Sequence, residues 1–300
     1  MTFKHSHHSV SYSAMGTASV NFAALRKADL ERAHLGGSSK IFRIRNTNIV
    51  AKISPTTFPS QYRWREWEKE MYDRIGTHPH ILRYLGQSPP SCRPLNRALL
   101  FEYHPKGNAA SCIDEIFSLP PRQRRRSVLS HSCLPLAFYP ASSYWCRQQY
   151  QAASALAYIH SLDIVHGDVA LNSFLLRENG DIVLCGFSRS CLFDGRGNFS
   201  SACGPSFPAF GDVPSKQGDV RGLGIVLRQL GYEELPSEVL DALDTDLRVF
   251  SVLDDDTSEI DMPLLGVLQE CWDEYGYTAA KVAKDLGTWL SSFRIYIYSN

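Results

Sequence analysis

A chain of 300 residues suits one two-lobed domain or two small ones. Lys plus Arg and Asp plus Glu both number 31, and this balance gives no global attraction to nucleic acid or to an anionic membrane surface. Eight scattered cysteines without a Cys-x-x-Cys pair point to reduced thiols inside a cell, and no apolar run approaches the roughly 20 residues that span a bilayer.

Residues 1–28 read as a loose extension. Its start, MTFKHSHHSVSYSAMG, lacks the apolar core of a signal peptide. His5, His7 and His8 are followed by no further ligand at metal-binding spacing, so a disordered tail is the expectation. From Leu30 the pattern is strand-like, and His34 to Lys40, with Gly36 and Gly37, is a Gly/Ser turn. Ile41, Phe42 and Ile44 form a second strand. Asn46-Thr47-Asn48 turns the chain, and Ile49-Val50-Ala51-Lys52-Ile53 returns. Lys52 in such a strand either points to solvent or serves a site. Gln61 to Ile75 has helical periodicity, with Trp64, Trp67 or Glu68, Met71 and Ile75 on related faces and Glu66 and Glu70 beside them. His78-Pro79-His80-Ile81-Leu82-Arg83-Tyr84-Leu85-Gly86 follows. An apolar strand then runs through Phe101 to Glu102-Tyr103 and a glycine turn at Gly107.

The composition changes between Ser118 and Ser143. Pro120-Pro121, Arg122, Arg124, Arg125 and Arg126 interrupt any period, which predicts an insert of roughly 20 to 25 residues, longer than compact-domain loops. It reads as a solvated loop. The basic run beside Ser127 also suits phosphorylation or acidic docking, and a translated intron is a third reading. Tyr144 to Leu162 is a helix with Trp145, Gln149, Ala152, Leu156 and Ile159 on one stripe. Ile164 to Phe187 follows: an apolar pair, His166-Gly167-Asp168, and two apolar runs joined by the turn Glu178-Asn179-Gly180. A polar, Gly-rich stretch leads to Ser215-Lys216-Gln217-Gly218-Asp219, where Asp219 suits a helix N-cap. The last elements contain Cys271-Trp272 and a helix beginning near Tyr277-Thr278-Ala279-Ala280.

This order of elements resembles the protein kinase superfamily, in the style of fungal protein-kinase-like proteins, from about residue 30 to 292. The resemblance implies an α+β, bilobal protein kinase-like fold: a small antiparallel β N-lobe over 29–103 and a mainly helical C-lobe over 104–295, with the insert at about 118–143. It implies ATP as cofactor. Lys52 would hold its first two phosphates and pair with Glu68, with Glu66 and Glu70 as fallbacks. Gly36 and Gly37 would belong to the phosphate-covering turn, although they are adjacent rather than spaced. Phe101 would be the gatekeeper, and Glu102 and Tyr103 would offer backbone groups to adenine. Asp168 would orient a substrate hydroxyl and accept its proton. Asp219 would cap its helix and bond the catalytic-loop backbone.

The departures from the family pattern fall on charge and metal. Gly167 replaces the usual Arg, so activity is not expected to depend on a phosphorylated activation segment. Ser173 stands where a metal-binding Asn is usual, and Asn172 lies one residue early. Phe187 is kept, but Gly186 replaces the metal-binding Asp and Ser188 the following Gly. No clear Ala-Pro-Glu motif follows. Mg²⁺ needs anionic oxygen ligands, and Gly186 supplies none. Asp181 lies five residues upstream, about 16 Å along a strand, and Asp194 sits in the following segment. The leading expectation is therefore a catalytically impaired kinase-like protein, a pseudokinase with a signalling or scaffold role. It would bind protein partners in the cytoplasm or nucleus, with or without nucleotide. The alternatives are an active divergent protein kinase and a small-molecule phosphotransferase. His-Gly-Asp with a downstream amide also resembles aminoglycoside-phosphotransferase-like enzymes.

Overall fold

Asn46 takes the left-handed conformation at φ 58° that Asn tolerates better than most residues. Thr47 closes the same turn, its hydroxyl donating to the Ile44 carbonyl at 2.8 Å and accepting from the Ile49 N–H at 3.2 Å. This turn joins β2 (Lys40–Ile44) to β3 (Ile49–Ile53). With β1 (Leu30–Leu35), β4 (Tyr84–Gln87) and β5 (Leu99–Glu102) they form a five-stranded antiparallel sheet in the order β1-β2-β3-β5-β4. The computed structural model describes residues 20–35, 39–53, 59–118, 141–193, 199–203, 214–230, 263–272 and 276–299. The glycine turn at Gly36 and Gly37, nearly all of the 118–143 insert, Asp194 and residues 204–213 lie outside them.

The chain divides into two compact units, Met1–Tyr62 with Tyr84–Tyr103 and Arg63–Arg83 with His104–Asn300. In the first unit, Ile49 and Ala51 alternate with Val50 and Lys52, so one sheet face is apolar. Ile44, Ile49, Ala51 and Leu100 on that face pack with Cys92, Leu95 and Ala98. Val20, Phe22 and Leu25, from the stretch read as a loose extension, pack against the same cluster. Ser88 ties the stretch between β4 and β5 down: its hydroxyl donates to the Leu95 carbonyl and accepts from the Ala98 N–H at 2.8 Å.

The second unit is helical around α3 (Ala141–Ser161), preceded by α1 (Pro59–Ile75) and α2 (Ala109–Ser118). Ala152, Leu156 and Ile159, with Ala153 and Ala155, are fully buried on α3, as the stripe predicts. Small residues let its neighbours approach closely. The glutamines on the same helix bond outward: Gln149 Nε2 donates to the Leu227 carbonyl at 2.9 Å, and Gln148 Nε2 to the Gly180 carbonyl at 2.7 Å. The hairpin β7 (Phe174–Leu176) and β8 (Ile182–Leu184) forms as the turn signal predicts, with Gly180 at φ 81°. A three-stranded sheet, order β10-β9-β6, joins β6 (Ile164–Val165), β9 (Cys191–Phe193) and β10 (Phe199–Cys203).

Three further helices complete the second unit: α4 (Lys216–Leu230), α5 (Pro263–Trp272) and α6 (Ala279–Ser299). A Cβ on Gly224 of α4 would lie 2.9 Å from Cys271 Cβ and 3.0 Å from the Trp272 ring, so glycine sets how closely α4 and α5 pack. The structure is thus α+β, with an antiparallel sheet and helices, and is compatible with a kinase-like fold. Among the described residues no helix is long and apolar enough to cross a membrane.

Candidate functional site

The local fold around Asp168 starts from β6, whose Ile164 and Val165 are fully buried and fix where the next three residues emerge. Gly167 takes φ +73°, and a Cβ there would lie 2.8 Å from the Arg189 carbonyl oxygen. Only glycine fits this approach. The loop is held from α4. Asp219, 3% exposed, accepts from the His166 N–H at 2.7 Å and the Gly167 N–H at 2.9 Å, and meets His160 Nε2 at 2.9 Å. One carboxylate thus serves three partners. The cap expected of Asp219 belongs instead to Ser215, whose hydroxyl accepts from the Gly218 N–H at 2.9 Å. Asp219 sits in the first helical turn, which frees its carboxylate for the loop.

His166 is fully buried. Its Nε2–H donates to the Cys185 carbonyl at 3.0 Å, and its Nδ1 accepts from the Asp168 N–H at 3.2 Å. That pair of partners fits the neutral Nε2–H tautomer. Phe187 stacks edge-on to His166 and to Tyr72 of α1, both at 5.0 Å between ring centroids. Burial first, then the nearby Cys185 and Glu68 charges, push the Tyr72 phenol well above its ordinary range, so it stays neutral. Trp67 Nε1 donates to the Ser190 carbonyl at 2.9 Å, a second tie from α1 to the segment after Phe187.

The residues expected to carry chemistry separate into two groups. Asp168 projects from the loop with its side chain 45% exposed. Its carboxylate meets Arg189 Nη1 at 3.3 Å, a partner the sequence reading missed. Of the three candidate glutamates on α1, Glu68 is 2% exposed, while Glu66 pairs with Arg65 and Glu70 with Arg74 at the surface. Lys52 belongs to the first unit, on β3 opposite Leu99 and Ile41, and on the sheet face away from Ala51. Phe101 is buried and Glu102 ends β5. The Tyr103 N–H donates to the Asn48 carbonyl at 2.9 Å and is thereby engaged inside the sheet.

The metal positions do not fit Mg²⁺. Gly186 lies in the left-handed region at φ 89°, ψ 47° and has no side chain to offer. The Ser173 hydroxyl turns back and donates to the Asp168 carbonyl at 2.7 Å, and Asn172 is exposed beside it. Asp181 is occupied elsewhere: it pairs with Arg147 and Gln151 and accepts from Asn179 Nδ2 at 2.7 Å. Burial pushes its carboxyl up, but the hydrogen bonds from Gln151 and Asn179 and the Arg147 charge outweigh this and hold it below the usual carboxylate range. Among the described residues no three His, Cys, Asp or Glu side chains gather as metal ligands.

No family model matches the chain. It is similar over 104 residues, at 33% identity, to a probable serine/threonine-protein kinase of Dictyostelium discoideum, a match covering 33% of this chain and 8% of that protein. Testis-specific serine/threonine-protein kinase 2 of Mus musculus is 35% identical over 88 residues, 26% of this chain and 25% of the kinase. Nitrogen network kinase 1 of Saccharomyces cerevisiae is 47% identical over 49 residues, 15% of this chain and 5% of the kinase. The chain thus spans a quarter or less of the length of these relatives. These short, partial similarities support a kinase-like relationship.

Proposed function

We propose that this chain is a protein-kinase-like protein with impaired phosphotransfer, acting within the cell through protein partners in signalling. The observation that carries the reading is the contrast inside one loop. Asp219, His166 and Asp168 form a fully bonded framework, while Gly186 and Ser173 provide no anionic ligand. Phosphoryl transfer asks a protein mainly for positioning and charge neutralisation, and the second requirement is the one unmet. ATP would be held with Lys52, Glu68, Gly36, Gly37, Glu102 and Tyr103 as contributors, as the resemblance implies. An active divergent kinase, transferring phosphate to a protein hydroxyl, is the second reading. It is favoured by the exposed Asp168 carboxylate, which retains the means to accept a proton.

The test is restoration. A Cβ on Gly186 would meet nothing within 4 Å, so there is room for Gly186→Asp, at the cost of backbone strain at φ 89°, which Asp bears better than most residues. Gly186→Asp combined with Ser173→Asn should produce metal-dependent transfer of labelled phosphate and a Mg²⁺-dependent thermal shift with ATP that wild type lacks. Equal transfer by wild type and the double variant would establish the active-kinase reading instead.

A further inference from the structure

Two histidines that the proposed function does not use lie in the segment after α1, which is held within the second unit from two sides. Toward β8, the Leu184 N–H donates to the His80 carbonyl and the Leu82 N–H to the Leu184 carbonyl, both at 2.9 Å, around the Ile81–Leu184 bridge. Toward α3, the Tyr158 hydroxyl donates to the Ile75 carbonyl at 2.7 Å, and the Tyr158 ring stacks on His78 with centroids 4.3 Å apart. Neither histidine has a place for a proton at Nδ1. His78 Nδ1 already accepts from the His80 N–H at 3.3 Å. His80 Nδ1 is sealed from solvent and has no hydrogen-bond partner among the described residues. A proton on the first would set N–H against N–H, and a proton on the second would leave a buried donor unpaired. The two rings meet edge to face with centroids 5.6 Å apart, so two cations there would also repel.

The other groups that face His80 do not offset this. Tyr150 of α3 meets its ring edge-on. Arg177 and Arg147 oppose a positive charge on it, and Asp181, which favours one, is already bonded to Arg147, Gln151 and Asn179. We propose that His78 and His80 make this segment a proton-sensitive latch, which ties α1, α3 and β8 together while both rings are neutral and opens when they take up protons. Burial is the leading cause that lowers both histidines from their ordinary value. The closed latch therefore binds fewer protons than the open one. It is fully held above the ordinary histidine pKa of about 6.5 and weakens as pH falls from there through the lowered folded values. Between about pH 7.5 and about pH 5.5 the opening equilibrium rises by up to about tenfold per ring, and up to about a hundredfold for both. Opening reaches the Asp168 loop through Cys185, the next residue after Leu184. Its N–H donates to the Ser173 carbonyl at 2.8 Å, and its carbonyl accepts from His166 Nε2. The latch is independent of nucleotide binding and of the proposed function.

The test is hydrogen exchange at single amides of the full chain, read as protection factors so that the intrinsic pH dependence of exchange is removed. Protection at the Leu82 and Leu184 N–H groups should fall by about tenfold or more between about pH 7.5 and about pH 5.5. The double variant His78→Asn with His80→Phe removes both titrating groups. Asn accepts from the N–H two residues on, as His78 does, and Phe keeps a ring against Tyr150. Its protection at the same amides should change by less than about threefold over that range. A second readout needs no variant: the ring Cε1–H resonances of His78 and His80 in wild type should both titrate below about 6.5. Constant wild-type protection, an equal fall in the double variant, or either ring titrating at or above the ordinary value would overturn the proposal.

Discussion

Removing the Asp219 carboxylate should loosen the loop that carries Asp168, and the structure sets the size of the effect. The side chain is 2% exposed and receives three donors. They are not equivalent. Gly167 is exposed, so water can replace its lost acceptor. His160 and His166 are buried, and each donor left unsatisfied there costs about 1 to 3 kcal/mol. Asp219→Ala should therefore destabilise by about 2 to 6 kcal/mol. Asp219→Asn keeps one oxygen, which can serve His160 and His166 while the new NH₂ faces the Gly167 N–H, so its cost should be about 1 to 2 kcal/mol. Urea unfolding followed by tryptophan fluorescence measures the difference, and amide hydrogen exchange at His166 should accelerate far more in the Ala variant. Equal destabilisation by the two variants, or less than about 1 kcal/mol for Ala, would refute the assignment of Asp219 as the shared acceptor.

A Cβ at Gly222 of α4 would sit 2.7 Å from the Val169 carbonyl oxygen, a backbone atom that cannot rotate away, so Gly222→Ala should cost about 1 to 3 kcal/mol in urea unfolding. Gly266 of α5 meets nothing within 4 Å, so Gly266→Ala should instead raise the thermal midpoint, by up to about 1 kcal/mol of helix propensity. Asp181 contributes to acid stability with a definite sign. Its folded-state carboxyl lies below the unfolded value, so its contribution is complete above the ordinary carboxylate pKa of about 4 and is lost as pH falls through the lowered folded value. In Asp181→Asn the urea midpoint should be lower at neutral pH and should fall less steeply below about pH 4 than in wild type.

Local signals were legible wherever turn chemistry and period agreed. Asn46-Thr47-Asn48 announced the β2–β3 turn, Asn179-Gly180 the β7–β8 hairpin, and the alanine-rich stripe the buried face of α3. Counting back from the joint after α1 singles out Glu68, and of the three glutamates it is the buried one, while Glu66 and Glu70 have charged partners at adjacent or helical spacing. Other features left no periodic trace. Cys92, Leu95 and Ala98 enter the first unit's core from a turn-rich stretch, positioned by the Ser88 hydroxyl rather than by a helix or strand repeat. The capping role went to Ser215 because Asp219 is drawn to donors far away in sequence, and no local rule weighs such distant bonds. Arg189 was equally silent, since an ion pair across 21 positions depends on how the loop folds.

The Arg189 pair bears on the expectation drawn from glycine at 167. A cation is missing next to Asp168 in sequence, yet one stands beside it in space, 3.3 Å from its carboxylate. The two facts share a cause. Without a Cβ at 167, the Arg189 carbonyl closes onto the loop, and the short turn Phe187–Arg189 carries the guanidinium with it. A side chain at 167 would push that turn outward and take Arg189 away from Asp168. The pair is about half exposed on both sides, so its contribution to stability is small, at most about 1 kcal/mol. Its consequence is electrostatic and positional. The turn is also tied by Trp67 to the Ser190 carbonyl and by Phe187 packed against Tyr72 and His166. Apolar packing and fixed hydrogen bonds thus hold this turn in place with no cation at 167. That arrangement gives a physical basis for expecting the loop to keep its conformation whether or not the following segment is phosphorylated.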